Sequence, residues 1–322
     1  MKRYLLSMVL LMAGAAHAQG IIEYGQECAD KVAPIPAFSC ETGVAVPITV
    51  DGRTPDKYTK NMLCDRPSLL PPDKGQKTDG QCVPYSRALV LRDDDQAQIS
   101  AFCRQKMIRP ADTHLYDEVD IVAHNVRTGS TCWFQASTRK PLKQNEGVDG
   151  RKVPPPNQAQ PLPGYPPAQT FWNKPSLTAA KNCVQCHDSG PFMYSPFIAQ
   201  TRMVPGDPFG LYKNDIGKDF QRWAVPFSIS TRGNACTTCH RIGNMNSCNV
   251  AMWQSIGQGH TEGLDAWGKK FPQSHWMPPG NLHSEAQWNE QFVRSVRILA
   301  ACCQDPKGAE CLTGGYTQSG KP

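Results

Sequence analysis

The pentapeptides Cys183-Val184-Gln185-Cys186-His187 and Cys236-Thr237-Thr238-Cys239-His240 both follow the pattern C-x-x-C-H. In this motif the two cysteines form thioether bonds to the vinyl groups of a haem, and the adjoining histidine binds the iron. About one helical turn separates the two sulfurs, so they can meet two pyrrole edges of one porphyrin. The sequence therefore predicts two covalently attached haem c groups, held through Cys183, Cys186, Cys236 and Cys239, with His187 and His240 as iron ligands.

Two other interpretations of paired cysteines fit this chain less well. Zinc sites made from C-x-x-C pairs usually place the pairs about 15 to 20 residues apart, whereas 49 residues lie between Cys186 and Cys236. A thioredoxin-like redox pair does not account for a histidine after both copies. We therefore expect haem rather than zinc or a redox dithiol.

From about residue 169 to 322 the chain resembles a dihaem c-type cytochrome of an exported bacterial kind. The resemblance rests on the two motifs and on Trp276-Met277-Pro278-Pro279, which is similar to the methionine loop that supplies the distal ligand in many small c-type cytochromes. It covers a little under half of the chain, and residues 1–168 carry no comparable match. It implies that residues 169–322 form a mainly helical, loop-rich cytochrome c-like domain.

The distal iron ligands decide between electron transfer and substrate chemistry, because an open sixth position on iron admits small molecules. We expect Met277 to ligate the second haem. For the first haem Met203 is geometrically easier than Met193, which lies only six residues after His187. Other candidates stay open, namely Met193, His260 and His275.

A proline-rich stretch divides the chain into two parts of domain size. Residues 141–168 contain the run Val153-Pro154-Pro155-Pro156 and further prolines, and proline fixes φ and removes backbone donors. The stretch therefore predicts a semi-rigid linker with separate cores on its two sides, and no strand or helix of its own. We expect an α+β chain, in which residues 19–140 form a small disulfide-rich α+β or mainly β domain and residues 169–322 form the cytochrome c-like domain.

Four local patterns predict secondary structure. Val44–Val50 is β-prone but contains Pro47, which confines it to an edge or a strand end. Asp93, Asp94 and Asp95 before an apolar pattern at Ile99, Phe102, Cys103 and Met107 predict a capped helix. Residues 118–123 and 131–134 predict a hairpin. Trp288, Phe292, Val296 and Leu299 predict one face of a helix that begins at Ser284 and ends at Asp305-Pro306.

The first residues, MKRYLLSMVLLMAGAAHAQG, predict a secretory signal peptide over residues 1–18 with cleavage after Ala18. An exported chain forms disulfides, and ten of the 14 cysteines remain after the four in the motifs. We therefore expect five disulfides, with six cysteines pairing before the linker and four after it. Sequence does not choose among the connectivities. Pairing of neighbours is our working hypothesis: Cys28 with Cys40, Cys64 with Cys82, and Cys103 with Cys132.

The formal net charge of the chain is +6, and its basic residues are scattered. Neither a nucleic-acid footprint nor a polybasic membrane patch is indicated, and after the signal no apolar run is long enough to span a bilayer. We expect a periplasmic or secreted dihaem c-type cytochrome that transfers electrons to or from another exported redox protein. The alternative is a dihaem oxidoreductase or peroxidase that acts on a small substrate, and a third class is a surface protein in which haem senses or stabilises.

Overall fold

The computed structural model describes residues 19–50, 52–59, 64, 83–138, 143–206, 209–252 and 285–317. Helix and strand occur in similar amounts, which confirms the expected α+β class. The predicted signal peptide lies outside the described residues. No helix in the described part of the chain is long and apolar enough to cross a membrane.

The described residues contain five α-helices, ten strands and several short helical turns. The helices are α1 (Ile21–Lys31), α2 (Ala168–Phe171), α3 (Pro175–Ala179), α4 (Pro196–Ala199) and α5 (Glu285–Gln304). The strands are β1 (Val44–Ala45), β2 (Arg87–Asp93), β3 (Ala97–Arg104), β4 (Leu115–Tyr116), β5 (Glu118–Asn125), β6 (Thr131–Ser137), β7 (Val148–Asp149), β8 (Phe227–Thr231), β9 (Ile242–Gly243) and β10 (Cys311–Gly315).

The largest sheet has five antiparallel strands in the order β1-β2-β3-β5-β6. Successive side chains of a strand point to opposite faces, so each strand supplies residues to two surfaces. One face presents Ile99, Ile121 and Phe134 to the main hydrophobic core, which also contains Tyr24 of α1. We call this the inner face of the sheet. The opposite, outer face carries Phe102, Asp120 and Trp133.

The predicted edge strand and hairpin are confirmed. β1 is an edge strand of the sheet and pairs only with β2. β5 pairs with β6 across residues 118–124 and 131–137.

The helix predicted after Asp95 is wrong, because this segment forms the turn between β2 and β3 and then β3 itself. Asp94 Oδ1 accepts hydrogen bonds from the backbone N–H groups of Gln96 (2.9 Å) and Ala97 (2.8 Å), so the acidic residue closes a turn instead of capping a helix. Beyond it Ala97, Ile99, Ala101 and Cys103 are buried at every second position. The period of two decides for a strand.

The proline-rich stretch is not a linker between separate cores. β7 lies within it and pairs with β4, and Phe38 forms a bridge with Val153, which is fully buried. The main core includes residues from both sides of the stretch, among them Val119, Trp172 and Tyr316. Proline removes donors only at its own position, so the intervening residues are free to pair.

The C-terminal part contains a three-stranded antiparallel sheet in the order β10-β8-β9. Helix α5 packs against this sheet, and Leu299, fully buried, belongs to a second hydrophobic cluster with Ile229 and Met252. The predicted helix is therefore confirmed over Glu285–Gln304, while Ser284, its predicted cap, lies outside the described residues.

Four disulfides are described, and their connectivity differs from pairing of neighbours. Cys28 bonds to Cys132 and Cys40 bonds to Cys103. α1 contacts β6 through Tyr24 and Phe134, and the turn at residues 40–42 packs on β2, the neighbour of β3 in the sheet. The other bonds are Cys248–Cys303 and Cys302–Cys311. Cys64 is also disulfide-bonded, while Cys82 lies outside the described residues. Each of the four bonds stays on its own side of residues 141–168, as predicted.

Candidate functional site

The free thiols of the described chain are those of the two motifs. Cys183, Cys186, Cys236 and Cys239 are unpaired, whereas every other cysteine in the described residues forms a disulfide. The free cysteines of the described residues and the motif cysteines are therefore the same four. We call residues 183–187 the first motif and residues 236–240 the second motif.

Both motifs form the same single helical turn. In the first motif the backbone N–H of His187 donates to the carbonyl of Cys183 at 2.9 Å, and in the second motif His240 donates to Cys236 at 3.1 Å. This closes one turn between the first cysteine and the histidine. In the first motif the residue before the turn, Asn182, has a left-handed φ of 53°. The predicted one-turn geometry of both motifs is present.

His187 is held in one orientation by its own loop. Its Nδ1 lies 2.8 Å from the carbonyl oxygen of Pro191, and since a carbonyl only accepts, Nδ1 carries the proton. The lone pair is therefore on Nε2, and a metal-ligating histidine typically uses its other nitrogen in this way. Burial lowers the pKa of His187 to about 4, although the bond to Pro191 opposes the shift. The ring is neutral, which is the form that binds iron.

The outer face of the large sheet forms one wall of the first motif. The ring of Trp133 meets the ring of His187 edge to face, with centroids 4.9 Å apart. Burial raises the pKa of the Cys183 thiol to about 12, and the negative charge of Asp120 on β5 adds to this shift. Burial also raises the pKa of the Cys186 thiol, and the positive charge of Arg104 on β3 opposes this shift. The first motif thus lies beside the outer face of the sheet, in ring contact with β6.

Residues that follow the second motif support the first. The carboxylate of Asp188, fully buried, accepts hydrogen bonds from the backbone N–H groups of Met245 (2.6 Å) and Ser247 (3.1 Å). Asn246 Nδ2 donates to Cys186 Sγ at 3.2 Å. Burial raises the pKa of Asp188 despite these bonds. The first motif is therefore held by the segment that follows the second motif in the chain.

The second motif is capped by Asn234 and packed on α5. Asn234 Oδ1 accepts from the backbone N–H of Cys236 at 3.0 Å, and its Nδ2 donates to the carbonyl of Ser295 on α5 at 2.9 Å. Cys236 packs against Val296 of the same helix. Asn234 thus fixes both the start of the turn and its distance from α5.

The side chain of His240 is largely exposed to solvent. The protein atoms around its ring still lower the pKa of the imidazole by desolvation. The next residue, Arg241, is buried and joins the second motif to the end of the chain. Its guanidinium carbon lies 4.1 Å from the ring centroid of Tyr316, a cation–π contact. Tyr316 stacks on Tyr212 at 6.1 Å. The second motif is therefore attached to the main core as well as to α5.

The distal ligands stay predictions. Met203 is partly buried near β3, where its carbonyl accepts from the Ser100 hydroxyl at 3.4 Å. None of the hydrogen bonds, ring contacts and disulfides of the described residues connects Met203 to the first motif. Met277 lies outside the described residues, as do His260 and His275.

Several residues that shape the site were not predicted. Asn234 could have been found, because asparagine two positions before Cys236 is a cap signal. Trp133, Asp120 and Arg104 carry no local signal, since only the pairing of distant strands brings them to the first motif. Pro191 has a partial signal, because a proline soon after a motif ends its turn.

Two surface cavities of the described residues lie away from the motifs. The larger, of about 690 Å³, is lined by residues that include Ser137, Lys152 and Phe171, and one of about 280 Å³ lies beside Phe227 and Lys307. No motif residue lines either cavity. Comparison with family models, with curated proteins and with solved structures finds no match for this chain.

Proposed function

We propose that the chain is an exported dihaem c-type cytochrome that transfers electrons to or from another redox protein. The observation that carries the proposal is the cysteine inventory. Four cysteines of the described residues are free, and they are the four of the two C-x-x-C-H motifs. Thioether attachment consumes two thiols for each haem.

The residues present fit a covalently attached haem at each motif. Cys183 and Cys186 would hold the first group and Cys236 and Cys239 the second, with His187 and His240 as iron ligands. A bound haem iron supplies one-electron chemistry by cycling between its ferric and ferrous states. The chain's own contribution at the first motif is to keep His187 Nδ1 protonated on the Pro191 carbonyl and to exclude water with the outer face of the sheet.

The separate surroundings of the motifs support two groups rather than one shared site. The first motif lies against Trp133 of β6, and the second motif packs on α5 through Cys236 and Val296.

The disulfides support the exported location in this proposal. Four bonds in the described residues join positions up to 104 residues apart, and such bonds persist in oxidising compartments. Haem attachment of this kind also takes place outside the cytoplasm, where we place the chain, in the periplasm or secreted.

Mass spectrometry of the chain produced in a host that attaches haem c tests the proposal. We expect two haem additions in the wild-type chain, one in Cys183→Ser/Cys186→Ser and one in Cys236→Ser/Cys239→Ser. The matched control, Cys302→Ser/Cys311→Ser, removes two cysteines of a disulfide and keeps both additions. A wild-type mass without haem would overturn the assignment.

An optical spectrum with carbon monoxide then separates electron transfer from substrate chemistry. Two irons closed by protein ligands do not respond to carbon monoxide, whereas an open iron does. An unchanged spectrum supports electron transfer. A shifted Soret band would instead favour the dihaem oxidoreductase or peroxidase.

A further inference from the structure

The outer face of the large sheet is covered by the segment that carries the first motif. Phe192 meets His124 of β5 at 6.2 Å, and Phe197 meets Phe102 of β3 at 6.4 Å, both edge to face. His187 contacts Trp133 of β6, a strand that α3 also contacts. Three strands of the N-terminal part therefore contact the region around the first motif.

Trp133 is the sheet residue in ring contact with the predicted iron ligand. Its side chain is 3% exposed, and its indole N–H donates to Asn214 Oδ1 at 2.8 Å. A second tryptophan, Trp223, meets it at 5.7 Å and 63°. The hydrogen bond and the neighbouring ring leave the indole one orientation.

The contact adds a second constraint on the His187 ring. The Pro191 carbonyl holds the ring at Nδ1, but one hydrogen bond still allows rotation of the ring through its side-chain torsions. An indole placed at 71° to the imidazole blocks that rotation. Two contacts in different directions therefore fix both the tilt and the plane of the ring.

We propose that Trp133 is a positioning residue that sets the ring plane of His187 and thereby the electronic environment of the haem at the first motif. The inference rests on the proposed function. Groups around a metal ligand orient it and tune the metal, and the ligand-plane orientation determines the g-values of a low-spin ferric haem. The N-terminal part is therefore a component of the first haem site.

The neighbouring residue in β6 provides a matched control. Phe134 is as buried as Trp133, at 2% exposed, but it points to the inner face, where it packs against Tyr24 at 4.9 Å and Trp172 at 6.1 Å. Trp133→Leu and Phe134→Leu each remove one large aromatic from the same strand. They differ in that only the first removes a contact with His187.

The experiment is electron paramagnetic resonance of the oxidised dihaem protein, together with a potentiometric titration of both haems. We expect Trp133→Leu to shift the g-values and the reduction potential of one haem and to leave those of the other unchanged. Phe134→Leu should leave both haems unchanged, and Trp133→Phe should restore most of the wild-type signal because it retains a ring. Asn214→Ala, which keeps the indole but removes its acceptor, should give a smaller shift in the same signal, and it tests the inference where Trp133→Leu does not fold.

Three outcomes overturn the inference. They are unchanged signals in Trp133→Leu or Asn214→Ala, equal shifts in Trp133→Leu and Phe134→Leu, and equal shifts of both haems. Mass spectra distinguish failure of this inference from failure of the proposed function. Two attached haems with unchanged signals in the variants refute the role of Trp133 alone, whereas a wild-type chain without haem refutes the proposed function together with it.

Discussion

Removal of the Cys28–Cys132 disulfide should destabilise the chain more than removal of any short-range bond. This bond joins α1 to β6 across a sequence separation of 104 residues, whereas Cys302–Cys311 spans nine. In the chain-entropy description a cross-link restricts the unfolded ensemble, and the effect grows with the logarithm of the loop length. Because Cys40–Cys103 stays intact, the shortest loop that Cys28–Cys132 closes runs over residues 28–40 and 103–132. This loop of about 41 residues corresponds to about 3.9 kcal/mol of unfolding free energy, and the loop of nine to about 2.6 kcal/mol.

The two variants Cys28→Ala/Cys132→Ala and Cys302→Ala/Cys311→Ala form a matched pair. Each deletes two sulfur atoms. Cys28, Cys132 and Cys302 are all at most 1% exposed, whereas Cys311 is half-buried. The loop effect predicts a difference of about 1.3 kcal/mol between the two losses of unfolding free energy, and the smaller packing loss at Cys311 adds to this difference. We would measure this difference by urea denaturation of the unreduced proteins. Far-ultraviolet circular dichroism and the Soret band would both monitor unfolding, and coincident curves would show a single transition.

The result that would refute this reasoning is an equal or larger loss in Cys302→Ala/Cys311→Ala. It would mean that the stability given by these bonds comes from local packing in the folded chain rather than from restriction of the unfolded one.

Two further predictions concern charge. Burial lowers the pKa of His187 to about 4 in the folded chain, against about 6.5 in the unfolded chain. Between these two pH values the unfolded chain binds more protons, so the free energy of unfolding falls as pH decreases. The urea midpoint of the haem-free chain should therefore be lower at pH 4.5 than at pH 7, with a smaller decrease in His187→Gln, and an equal decrease in both chains would contradict the shift. The buried pair Arg109–Asp117 has nitrogen–oxygen distances of 2.8 and 2.9 Å, and Asp117→Ala should lower the free energy of unfolding by about 3 to 5 kcal/mol. Asp149→Ala, which removes the partner of the exposed Arg151, should change the urea midpoint little. Similar midpoints for the two variants would rule out a structural role for the buried pair.

The parts of the fold that sequence predicted correctly are those with a long or strict local pattern. Helix α5 was predicted because Val296 and Leu299 continue a helical period over several turns, and the β5–β6 hairpin because two β-prone runs flank a turn at residues 127–130. β3 was mistaken for a helix because Ile99, Phe102 and Cys103 also match a helical spacing. The alternation at Ala97, Ile99, Ala101 and Cys103 fits equally well, and only burial on the inner face of the sheet distinguishes the two.

The local turn of each motif was predictable from the sequence, and the surroundings of the motifs were not. The motif cysteines and histidines are consecutive in sequence, so their turn follows from local spacing. Trp133 lies 54 positions before His187, and no periodicity relates them. Their contact depends on the register of β6 against β5, in which Trp133 is opposite Val122, and a shift of one residue would place Trp133 on the inner face.

The helices around the first motif show why it needs the sheet. α2, α3 and α4 have four or five residues each, and helices this short do not form stably in water without tertiary packing. Their packing comes from elsewhere in the chain: α3 contacts β6, Ala168 of α2 and Trp172 belong to the main core, and Trp172 Nε1 donates to the Pro154 carbonyl at 2.9 Å. The residues that orient His187 are thus held by the sheet and by the proline-rich stretch. Residues 169–322 contain the first motif itself, whereas residues before 169 supply much of the structure that keeps this motif in its observed geometry.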